Sequence, residues 1–586
     1  MLVLPPVKTG ISILPIEGGL TFIAVAMAFA LPRLGYPIFH FIEYNFGRLA
    51  RQKGLSVALV GLTALLLRLA MLHILPIPYP TNADDFGFLF AADTFAHGRL
   101  TNPTPAMWMH FETMHITMKP TYASMFFPAN GLVLAAGQVL FEHPWYGMLI
   151  VTALMCAAIC WMLQGWLPPT WALLGGVLAV LRIGVFSYWI NTYIGGGAVA
   201  ALGGALVLGA LPRLIKTLRV HDGLLLAIGI IILANSRPFE GMLLCIPVAF
   251  ALGRWLFFRT NRPSLDQVLR ASAAPLLLVV AAAVWMGYYN YRNFDSPFTL
   301  PYTIDQATYS VTPHFIWQQR KPEPAYRFKA MRDYYIDLEL PEFKELQSVS
   351  GFLPGTLLKG VRVFLFFAGF ALIPPLIMLR RVIRDRRVRF LMLCMIPLTV
   401  GVTLEGGVRS YYLAPFTAAF YAIGLQAMRH LKQWKPEGRP VGNTMVRLIV
   451  TLCVAMSALD LWAKPLKLGV PNSITFIWTC ECLGTPQPGS ERVDIQAKLD
   501  RMPGKHLVLV RYASNHAPAD EWVYNEANID SSKVIWAREM DSGKNAELIS
   551  YYKDRDVWLV QPDKMPATLS PYIVHDGPAS KVSVSN

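Results

Sequence analysis

Long apolar runs punctuate the chain, separated by polar stretches of uneven length. The run SVALVGLTALLLRLAMLHILPIP, about residues 55–78, is long enough for a membrane-crossing helix, which needs roughly 20 apolar residues. Arg68 sits in its middle, where a lone arginine belongs on the bundle interior or in a polar cavity. Similar runs recur near 145–165, 168–187, 194–212, 221–236, 238–258, 268–289, 356–379, 390–404, 413–428 and 445–463. An earlier stretch, roughly 15–38, reads as a span or an interfacial helix. It is not read as a signal peptide, because Lys8 is its only upstream positive charge and no clear cleavage site follows. The stretch 128–141 is too short to count alone and reads as a dipping helix. Together the runs predict a polytopic α-helical membrane protein of about 11–13 spans.

The pattern changes in three places. Segments 79–127 and 290–355 are polar and aromatic, and the second reads as an ordered loop containing a helix. After about 465, KHLVLVRY (505–512), SKVIWARE (532–539) and DVWLVQP (556–562) predict strands. Polar helical segments, about 490–502 and 543–553, alternate with them, so the tail reads as a small α/β unit with a parallel sheet. Three regions follow. Residues 1–54 hold the first span or interfacial helix and a basic segment, 55–464 the transmembrane bundle with its two long loops, and 465–586 a C-terminal α/β domain.

Composition removes the other classes. The 586 residues are 54% hydrophobic and only 15% charged, where a soluble domain carries about 25%. Disorder is excluded by the 12% aromatic content. The balance of 52 Lys+Arg against 37 Asp+Glu is basic, but in a membrane chain such residues collect in short cytoplasmic loops, so no nucleic-acid partner is read. Strict alternation from 48–53 puts Arg213/Lys216/Arg219, Arg254/Arg259/Arg262, the arginines of 380–389 and the basic residues of 429–439 on one side. The long loops, the turns at 188–194, 235–241 and 405–412, and the tail fall on the other. This predicts a multi-pass protein of the cell (inner) membrane with an extracytoplasmic C-terminal domain. Cys156, Cys160, Cys245, Cys394 and Cys453 lie in apolar runs as packing residues, and no ligand set surrounds Cys480 and Cys482.

The candidate chemistry lies on the outer side. Asp84 and Asp85 directly follow the second run, at the start of an amphipathic helical stretch. They read either as helix caps or as a general base, since a carboxylate beside another and half out of water gains proton affinity. Arg237 and Arg409 each stand alone at the membrane edge, as ion pairs with Glu240 and Glu405 or as a guanidinium fork for a phosphate. Tyr411 and Tyr412 follow Arg409, and Lys119 and Tyr122 lead into a helix start where an anion can be received. These six are the candidate donor-phosphate or lipid residues. His110, Glu112, Asn191, Tyr193 and Glu405 are candidate substrate contacts, and no metal ligand is assigned.

With the acidic pair leading into FLFAADTFAHGRL, the segment TYASMFFPANGLVLA and the later RSYYLAP, the chain resembles the GT-C superfamily of polyprenyl-phosphate-sugar glycosyltransferases over about residues 55–430. Protein O-mannosyltransferases and the lipid A aminoarabinose transferase are branches of it. The resemblance implies a transferase taking sugar from a polyprenyl-phosphate donor to a glycan, lipid or protein acceptor, with inversion and with the bilayer as host. It implies Asp84 or Asp85 as catalytic base and Arg237 and Arg409 as phosphate ligands, names no cofactor, and leaves a divalent metal open. Many members carry Asp-Glu where this chain has Asp-Asp, and the α/β tail is not a general family feature. Two alternatives are a transporter or flippase of a lipid-linked or anionic substrate, and a non-catalytic membrane subunit. The first predicts paired half-sequences with broken helices, and no clear repeat is present.

Overall fold

The computed structural model describes residues 13–194, 196–258, 263–407, 409–462, 466, 468 and 490–573. Gly195, Arg259, Arg262, Cys480, Cys482 and the domain boundary near 465 lie outside the described residues. Among the described residues, eight helices are long and apolar enough to cross a membrane. They are α1 (Ile13–Ala30), Lys53–Ala70, Trp145–Trp166, Gly197–Thr217, Pro238–Phe258, Leu265–Phe294, Val349–Ala368 and Val441–Trp462. Four shorter apolar helices, Pro128–Phe141, Pro169–Gly184, Val220–Ala234 and Arg389–Thr403, pack among them. The run 413–428 becomes the helix Thr417–Lys432 behind a tight turn of helix, Ser410–Phe416. The chain is a polytopic membrane protein.

The first apolar stretch divides where one element was expected. α1 ends at Ala30, Gly35 takes φ 62°, and α2 (Tyr36–Arg51) begins. α2 leaves Tyr36, Ile38, Phe41, Ile42 and Tyr44 exposed, as an interfacial helix does, and anchors through Glu43 to Arg447 (3.0 Å) and Lys432 (3.2 Å). The following helix, α3 (Lys53–Ala70), carries Arg68 fully buried, as the apolar run demanded. Its guanidinium donates to Leu75 O (2.8 Å) and Asn191 Oδ1 (3.2 Å) and lies over the Trp145 ring.

The centre of the bundle is formed by Trp145–Trp166 and Gly197–Thr217, whose windows are 72% buried against 6% for Leu265–Phe294. Small residues permit this approach. A Cβ on Gly204 would stand 1.8 Å from Pro415 O, so only glycine lets the 410–416 turn reach that helix. Gly197–Thr217 runs from the vicinity of Asp85 down to Arg213, whose guanidinium covers Trp161 at 4.0 Å. Towards the Arg213 end, Gln164 donates to Lys53 O, and the basic segments 380–389 and 429–439 meet where His430 contacts Asp385 (3.0 Å). Single cysteines placed near 100, 320 and 540 are therefore expected to label with an impermeant thiol reagent from outside intact cells, and one near 385 is not. Labelling at 385 overturns the orientation.

Residues 505–571 form a sheet on the non-basic end. After a two-residue antiparallel pair in the first loop, β1 (Ile116–Thr117) and β2 (Ala123–Ser124), come β3 (Lys505–Val510), β4 (Val534–Arg538), β5 (Arg555–Gln561) and β6 (Thr568–Pro571). The order is β4-β3-β5-β6, with the first three parallel and β6 antiparallel on the edge. The strands read as unbroken apolar runs because both faces are covered. Val508, Val510, Val534 and Trp536 pack on Ile495 and Leu499 of the helix Ser490–Arg501. Leu507, Leu509, Ile535 and Ala537 pack instead with Phe111, Met114, Tyr122 and Tyr335, which belong to the two long loops. One core thus joins sheet and loops.

Candidate functional site

Asp84 and Asp85 open α4 (Ala83–Ala96). Asn82 caps this helix by accepting from Asp85 N–H (3.1 Å), so the N-cap role is filled by Asn82 and not by either carboxylate. Adjacent helical residues point about 100° apart, and the two side chains meet different surroundings. Asp85 is 0% exposed and accepts from Tyr193 N–H (2.7 Å), Thr81 N–H (3.0 Å), Asn82 Nδ2 (3.1 Å) and Thr81 Oγ1 (3.3 Å). Burial and the neighbouring Asp84 charge push it up to about 7 against those donors. Asp84 keeps 25% of its side chain open and contacts His115 Nδ1 at 2.8 Å.

His115 is a residue that sequence reasoning left unassigned. It lies on a left-handed backbone turn, φ 64°, in the loop that returns over α4, and its carbonyl accepts from Met125 N–H (3.0 Å). A non-glycine residue held there costs energy and persists only where its surroundings over-determine it. Its ring stands edge-on to Phe126 and Tyr334, and Nε2 meets Tyr334 Oη at 3.2 Å. Burial works against the imidazolium, but Asp84 holds His115 above its ordinary value, with Asp305 and Glu339 adding to this. Asp84, despite burial, is held below the usual carboxylate range by His115, Arg237 and Arg409. Three basic side chains thus favour its charged form.

Arg237 follows the helix Val220–Ala234 and is fixed by its N–H on Leu233 O (2.8 Å). Its guanidinium lies 4.4 Å from the Tyr411 ring and 4.5 Å from the Tyr412 ring, which stack on each other at 5.0 Å. Tyr188 Oη bonds Ser410 Oγ (2.7 Å) and steadies that turn. Arg237 meets Glu240 at 3.6 Å, as the ion-pair alternative had it. Arg409 does not pair with Glu405. It meets Glu342 of the second loop at 3.5 Å. Glu405 is buried beside Arg237, and burial followed by the Glu240 charge pushes it up to about 9.

The candidates thus divide. Asp84, Arg237, Arg409, Tyr411, Tyr412 and Glu405 converge on one region, with Asp85 behind Asp84 and Tyr193 holding Asp85 through its backbone. Asn191 braces Arg68. Lys119 is exposed over Trp108, and Tyr122 packs edge-on to Phe90 in the loop core, so the contacts of both lead away from the two arginines. His110 Nδ1 meets Arg538 O (2.9 Å), while Glu112 pairs with Arg327 (2.5 Å) and accepts from Tyr309 Oη (2.8 Å). These two form the joint between the first loop, the second loop and the sheet. Among the described residues, no three His, Cys, Asp or Glu side chains are placed to hold a metal ion.

No family model matches the chain, and no curated protein matches it in sequence. In structure it is similar to ArnT from Cupriavidus metallidurans in the apo state, with TM-score 0.49 and 10% identity over 86% of this chain and 92% of that one. ArnT bound to undecaprenyl phosphate gives TM-score 0.47 and 13% identity over the same shares, 86% and 92%. The Archaeoglobus fulgidus oligosaccharyltransferase tethered with an acceptor peptide gives 0.45 and 10%, covering 87% of this chain and 69% of that one. ArnT, the lipid A aminoarabinose transferase, is one of the branches that the sequence resembles. At these identities and TM-scores no residue role passes from those proteins to this chain, so its site rests on its own side chains.

Proposed function

We propose that this protein is a membrane glycosyltransferase that moves a sugar from a polyprenyl-phosphate donor to an acceptor hydroxyl on the extracytoplasmic face, with inversion. The observation that carries the reading is an ionised, partly open Asp84 facing two arginines and a stacked tyrosine pair at the end of an apolar bundle. Asp84 takes the proton of the acceptor hydroxyl. The freed oxygen pair attacks the anomeric carbon from the side opposite the phosphate, and the bond from that carbon to the phosphate oxygen breaks. Its electron pair stays on the phosphate, where Arg237 and Arg409 meet the developing charge. His115 positions Asp84, and the apolar helices offer the bilayer-facing surface against which a polyprenyl chain lies.

Purified protein is expected to transfer sugar from a synthetic prenyl-phosphate sugar, and cells lacking it to lose a glycan while the lipid-linked sugar accumulates. Neither change would favour the transporter or subunit reading. Arg237→Ala is expected to weaken donor use by about 1.5–3 kcal/mol, roughly ten- to a hundred-fold, as loss of a charged hydrogen-bond partner does. Arg237→Lys should restore little, because a point charge reproduces neither the fork nor the stacking on Tyr411 and Tyr412. Steady-state kinetics against donor concentration checks this, and wild-type values for Arg237→Ala return the residue to its ion pair with Glu240.

A further inference from the structure

The proposed transfer makes no use of Glu405, a buried carboxyl near the donor arginines. Glu405 is 1% exposed, and among the described residues neither of its carboxyl oxygens has a hydrogen-bond partner. The nearby ammonium of Lys359 is committed to backbone, donating to the carbonyls of Glu405 (3.0 Å) and Gly406 (3.3 Å). The turn is held in place, since Ile316 N–H donates to Leu404 O (2.9 Å) and Gly406 N–H to His314 O (3.2 Å). A second buried carboxyl, Glu240, stands 3.6 Å from Arg237. Glu405 bridges Phe315 through the backbone, and the Phe315 ring meets that of Phe239, two residues from Arg237, at 5.2 Å, which brings Glu405 to the same place. One guanidinium therefore faces two buried carboxyls, one of them without a bond.

Charge arithmetic decides what this pair must do. With both carboxyls ionised, Arg237 is already over-neutralised, Arg409 already meets Glu342 and the Lys359 ammonium is committed to backbone, so an arriving phosphate would add an anion in excess of the cations of a poorly solvated site. Like charges sharing such a site do not all ionise. We infer that Glu240 and Glu405 form a proton-binding site inside the donor pocket, and that the donor phosphate joins Arg237 with one proton resting on this pair. The inference rests on the donor-site reading above. The groups that face the pair are Arg237 and Tyr412, Lys359 from the helix Val349–Ala368, Arg409, and His314 and Tyr302 from the second loop. Burial and Arg237 hold His314 below its ordinary value. The upward displacement of Glu405 to about 9 agrees with a proton held there.

The test uses purified full-length protein and farnesyl methyl phosphate, a lipid phosphodiester that keeps one negative charge throughout. Calorimetry from about pH 6 to pH 10, in two buffers of different protonation enthalpy, gives affinity and proton uptake together. Wild-type affinity is expected to hold through neutral pH, then to fall by about tenfold per pH unit once the pair has lost its proton, with uptake approaching one proton per probe. Glu405→Gln, and independently Glu240→Gln, should bind as tightly at high pH as at neutral pH and take up none. The inference is overturned if either variant keeps the wild-type pH slope and uptake, or if wild-type binding takes up no proton at any pH. If instead Arg237→Ala binds the probe as tightly as wild type, the donor-site reading itself fails.

Discussion

Asp84→Asn is expected to lower turnover by about 10²–10⁴-fold, or roughly 3–5 kcal/mol of barrier, while the protein folds and keeps its donor affinity. A sugar phosphate leaves readily once cations hold its charge, so the weak acceptor hydroxyl is the remaining difficulty, and a positioned base relieves it. Asparagine preserves the shape of Asp84 and can still meet His115, but it accepts no proton. The neighbour should behave in the opposite sense. Asp85 receives four donors and has no open surface, so in Asp85→Asn one acceptor oxygen becomes an NH2 that faces the N–H of Tyr193 or of Thr81 and cannot accept from it. A buried donor left without an acceptor costs about 1–3 kcal/mol, which should appear as a lower melting temperature. Single-turnover transfer and thermal unfolding, measured on both variants, separate the base from the brace. Wild-type rates in both would remove the catalytic assignment altogether. The lowered value of Asp84 also sets a pH expectation: the base stays ionised through neutral pH, and its contribution to turnover is lost as acid protonates it.

Why one carboxylate was not distinguishable from the other in sequence follows from the same contacts. Which of two adjacent helical residues faces the site depends on where the 191–194 turn passes, and Tyr193 is more than a hundred positions away. His115 lies in an ordinary-looking polar loop of the sequence, because a left-handed backbone angle leaves no mark in a non-glycine residue. Arg409 was matched with the nearest acid in the chain, yet Glu342 arrives from a different loop. Lys119 and Tyr122 sat beside a promising helix start, but β1 and β2 fold that segment into a core shared with the sheet. The bundle and strands were legible for a simpler reason. Lipid and a doubly covered sheet both demand long unbroken apolar runs, and nothing else in such a chain produces them. Where one residue breaks a run, as Gly35 does between α1 and α2, the run's length misleads.

The joint between the sheet and the loops supplies the second large effect. Arg538 on β4 pairs with Glu521, and the two side chains are 2% and 1% exposed. Arg538 Nε also donates to Glu112 O (2.7 Å), its carbonyl meets His110 (2.9 Å), and Glu521 accepts from Val523 N–H (2.9 Å) and from Tyr512. This cluster therefore holds the loop that, a few residues on, presents His115 to Asp84. Arg538→Ala leaves Glu521 charged, buried and alone, and breaking such a pair costs about 3–5 kcal/mol. The expected result is a large fall in melting temperature, faster proteolysis within 490–573, and lost transfer activity despite an untouched Asp84. Replacing both partners, Arg538→Met with Glu521→Gln, removes the stranded charge and should recover most of the stability. Activity should recover less, because the bond to Glu112 O is still missing and the loop beneath His115 is held less firmly. If Arg538→Ala melts and transfers sugar as wild type does, the sheet does not brace the site, and the position of His115 must be maintained by its contacts with Phe126 and Tyr334.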